Sequence, residues 1–244
     1  MGDTNRIIMG DDYKLKKIEY DNRLEKVVLK YTCTANNILP VFNDEFTDYK
    51  VVKVLNDNGF YTISIVANVA NKINGYFKEC SFEGIEELIS IDLIRYTSEL
   101  TTMKNMFKNC INLSYINTKR LDTTNVTDIT GAFMNCESLK VVNLLTCDLS
   151  RINSLNDLFN GCKSMLYIEL PEMKNVYYMS HTFANCESVK EINLSRINTS
   201  STTIMTALFA NDISLKTIVG INDLNVSKTL SLILSLSKIS FLLS

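Results

Sequence analysis

Cysteine is the residue type whose spacing in this chain most suggests chemistry. Four of the seven cysteines each follow a phenylalanine by three residues, namely Cys110, Cys136, Cys162 and Cys186. Cys80 stands in the same relation to Phe77. A regular line of thiols is consistent with disulfides or with a bound metal ion. Packing is a third explanation, because a free cysteine behaves as a small and well-buried hydrophobic residue.

The repeat position of these cysteines favours structural thiols over disulfides and over a metal site. Asp212 stands where the last clear repeat would carry its cysteine, and a four-thiolate metal site would not tolerate that change. We therefore expect buried thiols at a turn, and we expect neither a metal ion nor a cofactor.

Other side chains with catalytic potential lack partners in suitable places. Nucleophilic catalysis needs a base beside the nucleophile, and the single histidine, His181, would have to reach the buried Cys186. Paired carboxylates occur at Glu86–Glu87 and at Glu169 with Glu191, but a flat sheet face provides no pocket to shift a pKa. Calcium would need more oxygen ligands than Asp122 and Asp128 supply. We expect no catalytic residues and no enzymatic activity.

A regular repeat must position all of these residues. Phenylalanine recurs at steps of 26, 26, 24 and 26 residues, at Phe107, Phe133, Phe159, Phe183 and Phe209. A fixed period of 20–50 residues predicts stacked structural units that bury a continuous core. The expected class is therefore α/β, a solenoid with one parallel strand and one short helical turn per repeat.

Each repeat divides into a turn and a strand. Apolar residues lie seven, four and one positions before the phenylalanine, which predicts a stripe on a short helical or 3₁₀ turn. Two residues after it comes an asparagine or glycine, the types that tolerate positive φ and end a helix. A segment such as Leu139–Leu144 then alternates in the manner of a strand.

The repeat pattern also predicts the domain organisation. Residues 1–59 are β-rich and form an N-terminal cap, with Asn56–Gly59 as a tight turn before a strand at Phe60–Val66. Residues 60–224 hold the repeats, degenerate over 60–100 and regular over 101–224. In the degenerate part, Phe77 and Cys80 are assigned to the repeat turn and Ser81–Ile85 to an insertion. Residues 225–244 are expected to form a shortened last unit or cap.

The variable residues between the fixed repeat positions are the best candidates for binding. They point outward on the predicted strands, and tyrosine is favoured at interfaces because it combines a large area with a polar tip. The candidate partner-binding residues are Tyr115, Asn117, Val141, Asn143, Tyr167, Glu169, Glu191 and Asn193. The alternative is that they are ordinary strand residues, with asparagine side chains that bond along the stack.

Composition narrows the kinds of partner. The net charge is −2 and charged residues make up 21% of the chain, which gives no electrostatic indication of nucleic acid or an anionic membrane. No window reaches the length of a membrane span, and the first residues lack the apolar stretch of a signal peptide. We expect a protein or glycan partner.

The repeat resembles the BspA-like leucine-rich repeats of bacterial surface proteins. The segment Met106–Thr130 carries the resemblance, and Leu121–Thr127, with the sequence LDTTNVT, follows the end of that consensus closely. The similarity covers roughly residues 28–220. It implies a curved solenoid with a strand face, and a role in adhesion or protein binding at a cell surface. A structural spacer, for example in a phage virion, is the alternative function.

Overall fold

The described part of the chain is built from short β-strands. A computed structural model describes residues 6–7, 25–44, 46, 49–69, 78–220 and 240–242, and it contains no helix within these ranges. The strands are β1 Arg6–Ile7, β2 Glu25–Cys33, β3 Val41–Phe42, β4 Tyr49–Leu55, β5 Tyr61–Asn68, β6 Cys80–Ser81, β7 Leu88–Ile94, β8 Tyr115–Ile116, β9 Val141–Asn143, β10 Tyr167–Glu169, β11 Glu191–Asn193, β12 Thr217–Val219 and β13 Ser240–Leu242.

The N-terminal strands form an antiparallel sheet that continues into the first repeat. The strand order is β1-β4-β5-β2-β7-β8, with antiparallel pairs as far as β7 and a parallel pair between β7 and β8. The predicted turn joins β4 to β5, and Gly59 there has a φ of 79°. The β2 strand therefore lies beside the first strand of the stack, and β5 lies between β2 and β4.

From β7 onward the strands pair in parallel at the repeat step. Hydrogen bonds join β7 to β8, β9 to β10, and β11 to β12 and then to β13. Val142, Ile192 and Ile218 are buried at the middle of their strands, while the residues on either side point outward. The predicted parallel strand of each repeat is confirmed for these units.

Six phenylalanine rings stack through the core. They are Phe82, Phe107, Phe133, Phe159, Phe183 and Phe209, all buried. Neighbouring ring centroids lie 5.5 to 6.0 Å apart, and the ring planes differ by 7° to 16°. Each unit therefore extends the same apolar column by one ring.

The stack corrects the predicted register of the degenerate repeat. Phe82 stacks on Phe107, so Ser81–Ile85 is the repeat turn itself and not an insertion. Cys80 lies in β6, which pairs with β3, and therefore outside the regular thiol column. Phe77 lies outside the described residues. Gly84 follows Phe82 by two residues and has a φ of 75°, the conformation that Asn109 adopts in the next unit.

The turn before the strand is not helical, so the α/β class is not confirmed. Positive φ occurs two residues before and two residues after the phenylalanine, for example at Asn105 (55°) and Asn109 (62°). An α-helix requires negative φ throughout. The amide of Met106 instead donates to the Met103 carbonyl and closes a four-residue β-turn, while the Phe107 amide donates to the Ala132 carbonyl of the next unit at 2.8 Å. Hydrogen bonds between units replace the expected helix.

Candidate functional site

The outer face of the parallel strands displays large apolar side chains. We call Tyr115, Val141 and Tyr167, together with Leu166, the strand-face patch; their exposed fractions are 52%, 49%, 52% and 54%. Val141 and Tyr167 are direct neighbours in the parallel register of β9 and β10. Contiguous exposed apolar side chains of this kind mark interaction surfaces in soluble proteins.

Leu166 was missed by the sequence reasoning. It lies immediately before β10, at a position that the strand alternation does not assign to the outer row. Its amide and that of Tyr167 both donate to the Lys140 carbonyl, at 2.8 and 3.3 Å, and this irregular start of the strand leaves consecutive side chains exposed. The repeat register could have found it, because exposed Lys140 and Lys190 occupy the same position in neighbouring units.

The asparagine row beside the patch has a structural role. Asn117, Asn143 and Asn193 each follow the buried middle of their strand by one residue, and each Oδ1 accepts the backbone N–H two residues further on, at 2.9 to 3.1 Å. Asn117 also donates to the Asp92 carbonyl of the preceding unit at 3.1 Å. These amides close the turn after the strand, so part of their hydrogen-bonding capacity is already used.

The two glutamates of the predicted face differ in their surroundings. Glu169 accepts a hydrogen bond from the Tyr167 hydroxyl, which restrains the orientation of that ring and raises the pKa of Tyr167. Glu191 is exposed at the same row position as Tyr167, one unit further along. The row of tyrosine and valine thus meets a negative charge on its C-terminal side.

The regular cysteines are structural thiols. Cys110, Cys136, Cys162 and Cys186 each donate Sγ–H to the carbonyl of the phenylalanine one unit earlier, at 3.0 to 3.3 Å. All seven cysteines of the chain are free and buried. Burial raises the pKa of the Cys110 thiol to about 12 and that of Cys147 to about 11. Since the thiolate is the reactive form, these groups are poor nucleophiles at neutral pH.

Asp212 occupies the thiol position in the last regular unit. Its Oδ1 accepts the Cys186 amide proton at 2.9 Å, whereas the buried Oδ2 has no hydrogen-bond partner. Burial raises the pKa of Asp212 to about 8. A neutral carboxylic acid fits this site better than a carboxylate, because it leaves no unpaired buried charge.

His181 is placed on the surface of a turn, away from the thiols. Its Nδ1 lies 3.8 Å from Asp157 Oδ1, and its side chain is 45% exposed. The Cys186 thiol instead donates a hydrogen bond to the Phe159 carbonyl. The histidine and the cysteine therefore make no nucleophile–base pair.

A polar groove crosses five units on the turn side of the strands. We call it the asparagine groove; its volume is about 470 Å³. One wall is formed by the residues that follow the stacked phenylalanines by two positions, namely Gly84, Asn109, Asn135, Gly161 and Asn185. The facing wall is formed by the residues two positions further on, namely Glu86, Ile111, Glu137, Lys163 and Glu187. The sequence reasoning identified the first set only as turn residues.

The architecture defines a repeat protein with parallel strands, stacked rings and two exposed faces of different chemistry. The chain belongs to the family described as "Mycoplasma protein of unknown function, DUF285", which matches residues 71–191 and 153–233. That family is related to the BspA-like surface repeat proteins. No curated protein matches the chain. Among the described residues there is no helix long and apolar enough to cross a bilayer.

Proposed function

We propose that the protein is a non-enzymatic binding module that holds a protein or glycan partner on its strand face. The observation that carries this proposal is the strand-face patch, in which four large apolar side chains on or next to β8, β9 and β10 are more than two-fifths exposed. Burial of such side chains supplies most of the free energy of association in protein interfaces.

The rigidity of the patch supports this role. Val141 and Tyr167 lie on paired strands, and the Tyr167 ring is restrained by Glu169. Side chains that are already ordered lose little conformational entropy when a partner binds. Tyrosine also keeps a hydroxyl available for hydrogen bonds at the edge of an interface. The relation of the family to surface repeat proteins supports adhesion at a cell surface as the setting.

A substitution experiment with a matched control tests the proposal. Tyr115→Ala with Tyr167→Ala is expected to abolish capture of a partner from an extract of cell-surface proteins and glycans, without lowering the melting temperature. Tyr177 and Tyr178 are 38% and 40% exposed, and they lie in the segment between β10 and β11 rather than in any strand of the strand face. Tyr177→Ala with Tyr178→Ala should therefore retain the partner.

The outcomes separate a binding module from a structural spacer. A partner retained by the native chain and by the Tyr177 and Tyr178 variant, and lost from the Tyr115 and Tyr167 variant, supports the strand face. Equal capture by all three proteins contradicts a binding role for this face and favours the spacer.

A further inference from the structure

The asparagine groove contains a ladder of side-chain amides. Asn135 Nδ2 donates to Asn109 Oδ1 at 2.8 Å, and Asn211 Nδ2 donates to Asn185 Oδ1 at 2.9 Å. Each amide has two donor hydrogens and an oxygen with two lone pairs, so one bond along the ladder leaves further capacity. The ladder therefore offers donors and acceptors to the groove at regular intervals.

Gly161 interrupts the ladder and exposes an acceptor. A Cβ atom at Gly161 would stand 2.2 Å from Asn135 Oδ1, so the amide oxygen occupies the space that a side chain would need. Among the described residues, Asn135 Oδ1 accepts no hydrogen bond. Asn185 Nδ2 donates instead to Asn160 Oδ1, at 2.9 Å, because Gly161 has no side chain to accept the bond. An unpaired carbonyl oxygen thus lies midway along the groove.

The facing wall selects against an anionic ligand and against a largely apolar one. Lys163 and Glu137 neutralise each other at 2.7 Å, which leaves Glu86 and Glu187 near the two ends of the groove. Ile111 is the single apolar side chain that lines the groove. Carboxylate, ammonium and amide groups together are suited to a ligand with many hydroxyl groups, since a hydroxyl both donates and accepts.

The dimensions indicate the shape of the ligand. The groove runs across five units, and backbone hydrogen bonds join neighbouring units, so the units follow one another at about 4.7–4.9 Å, the spacing of paired strands. A β-1,4-linked hexose chain is straight and advances by close to one such step per sugar ring. An extended polypeptide advances about 3.3 Å per residue, which does not match the step of the amides.

We propose that the asparagine groove binds a linear, neutral glycan, with one sugar ring opposite each unit. The ring hydroxyls bond to the amides of one wall and to the carboxylates of the other, and Ile111 contacts an apolar ring face. This site is separate from the strand-face patch and does not depend on it.

Chain-length dependence is the first test. Cellobiose, cellotriose, cellotetraose, cellopentaose and cellohexaose are titrated into the full chain by calorimetry. Affinity is expected to rise with each ring up to five and then level off, because the groove crosses five units. Maltohexaose has the same composition but a curved chain, and it should bind at least about tenfold more weakly, equal to roughly 1.4 kcal/mol.

Groove variants with a matched control locate the site. Asn135→Gly with Glu137→Ala removes one amide and the facing carboxylate; glycine suits the φ of 59° at Asn135. This variant should lose at least about tenfold in affinity for cellohexaose. Asn175→Gly with Glu172→Ala makes the same two changes at exposed positions outside the groove, and its affinity should equal that of the native chain. Glu187→Ala, in the same wall, should also weaken binding and serves if the double variant is unstable.

Four results would each overturn the proposal. They are the absence of saturable binding of cellohexaose, an affinity that does not change with chain length, equal binding of maltohexaose, and an equal loss of affinity in the control variant. Because the tyrosines of the strand-face patch are unchanged in all of these proteins, failure here leaves the proposed function of that face standing.

Discussion

At the scale of single residues, the thiol column shows how one buried polar atom is accommodated. Each regular cysteine donates an Sγ–H hydrogen bond to a phenylalanine carbonyl of the preceding unit, so a buried acceptor is satisfied by a side chain that also fills space. Asp212 keeps the position but not the chemistry, since one of its buried oxygens has no partner. Its ionisation is therefore coupled to the stability of the last regular unit.

The pH dependence follows from the direction of the pKa shift at Asp212. Burial raises the pKa from 3.8 to about 8, so the folded chain binds more protons than the unfolded chain between these values. The stabilising contribution of the protonated acid is complete below pH 3.8 and is lost as the pH rises to about 8. The free energy of unfolding should fall by up to about 1.4 kcal/mol per pH unit in this window.

Chemical denaturation from pH 4 to pH 9 checks this dependence. Asp212→Cys restores the repeat residue, and it should be more stable than the native chain at pH 8 and should lose most of the slope. Asp57→Asn, in the exposed turn between β4 and β5, is the control and should keep the native slope. An unchanged slope in Asp212→Cys would show that Asp212 is not the titrating group.

The spacing of residue types along the repeat predicts some side-chain roles at this scale and leaves others hidden. The cysteine spacing correctly predicted buried, structural thiols in four units, because the same residue type recurs where the same cavity recurs. Cys80 is also free and buried, but its predicted repeat position is wrong, because it lies in β6 outside the regular thiol column. The role of Asn117 in closing a turn could not be read from its row position alone.

At the scale of the structural elements, the turn is the part that periodicity described incompletely. Apolar residues at intervals of three and three fit a short helix, but they fit successive β-turns closed by hydrogen bonds between residues three apart equally well. The distinguishing feature is positive φ two residues before each phenylalanine, where Asn105, Gly131, Asp157, His181 and Ala207 stand. Asparagine, glycine and aspartate tolerate this conformation, whereas histidine and alanine concealed the pattern.

The ring stack is the element on which each unit depends. Phe133 is 1% exposed and lies between Phe107 and Phe159, with centroids 5.5 and 5.6 Å away. Phe133→Ala removes both ring contacts and leaves a cavity, so it should lower the free energy of unfolding by about 3–5 kcal/mol. Urea denaturation measures this change.

A surface phenylalanine provides the comparison for the ring stack. Phe60 is 37% exposed at the turn before β5, so Phe60→Ala should cost well under half as much as Phe133→Ala. Equal losses in the two variants would contradict the central place of the stack.

At the scale of the whole molecule, two faces of different chemistry lie on one repeated framework. The strand-face patch is apolar and aromatic, while the asparagine groove is polar and spans five units. The N-terminal sheet continues directly into the first repeat through β2 and β7, which covers that edge of the stack. The predicted last unit at residues 225–244 lies largely outside the described residues. Its described part is β13, which pairs in parallel with β12.

Much of this arrangement was accessible from the sequence because a repeat multiplies each observation. The outward position of Tyr115, Val141 and Tyr167 was expected from strand alternation, and the structure exposes all three by about half. The groove was not expected, because it is formed between columns of residues that were each explained by turn formation. Pattern analysis assigns residues to elements, whereas a groove depends on how neighbouring elements pack.

The most direct test of the central claim is site-specific photo-crosslinking. A photoreactive amino acid is placed at Val141 within the strand-face patch, or at Ile204, which is 46% exposed but outside the patch. After exposure to the extract of cell-surface proteins and glycans, the Val141 probe should form a discrete adduct with one partner. Excess native chain should suppress that adduct, whereas excess Tyr115→Ala with Tyr167→Ala should not. No adduct at Val141, or the same adduct at Ile204, would contradict a binding role for the strand face.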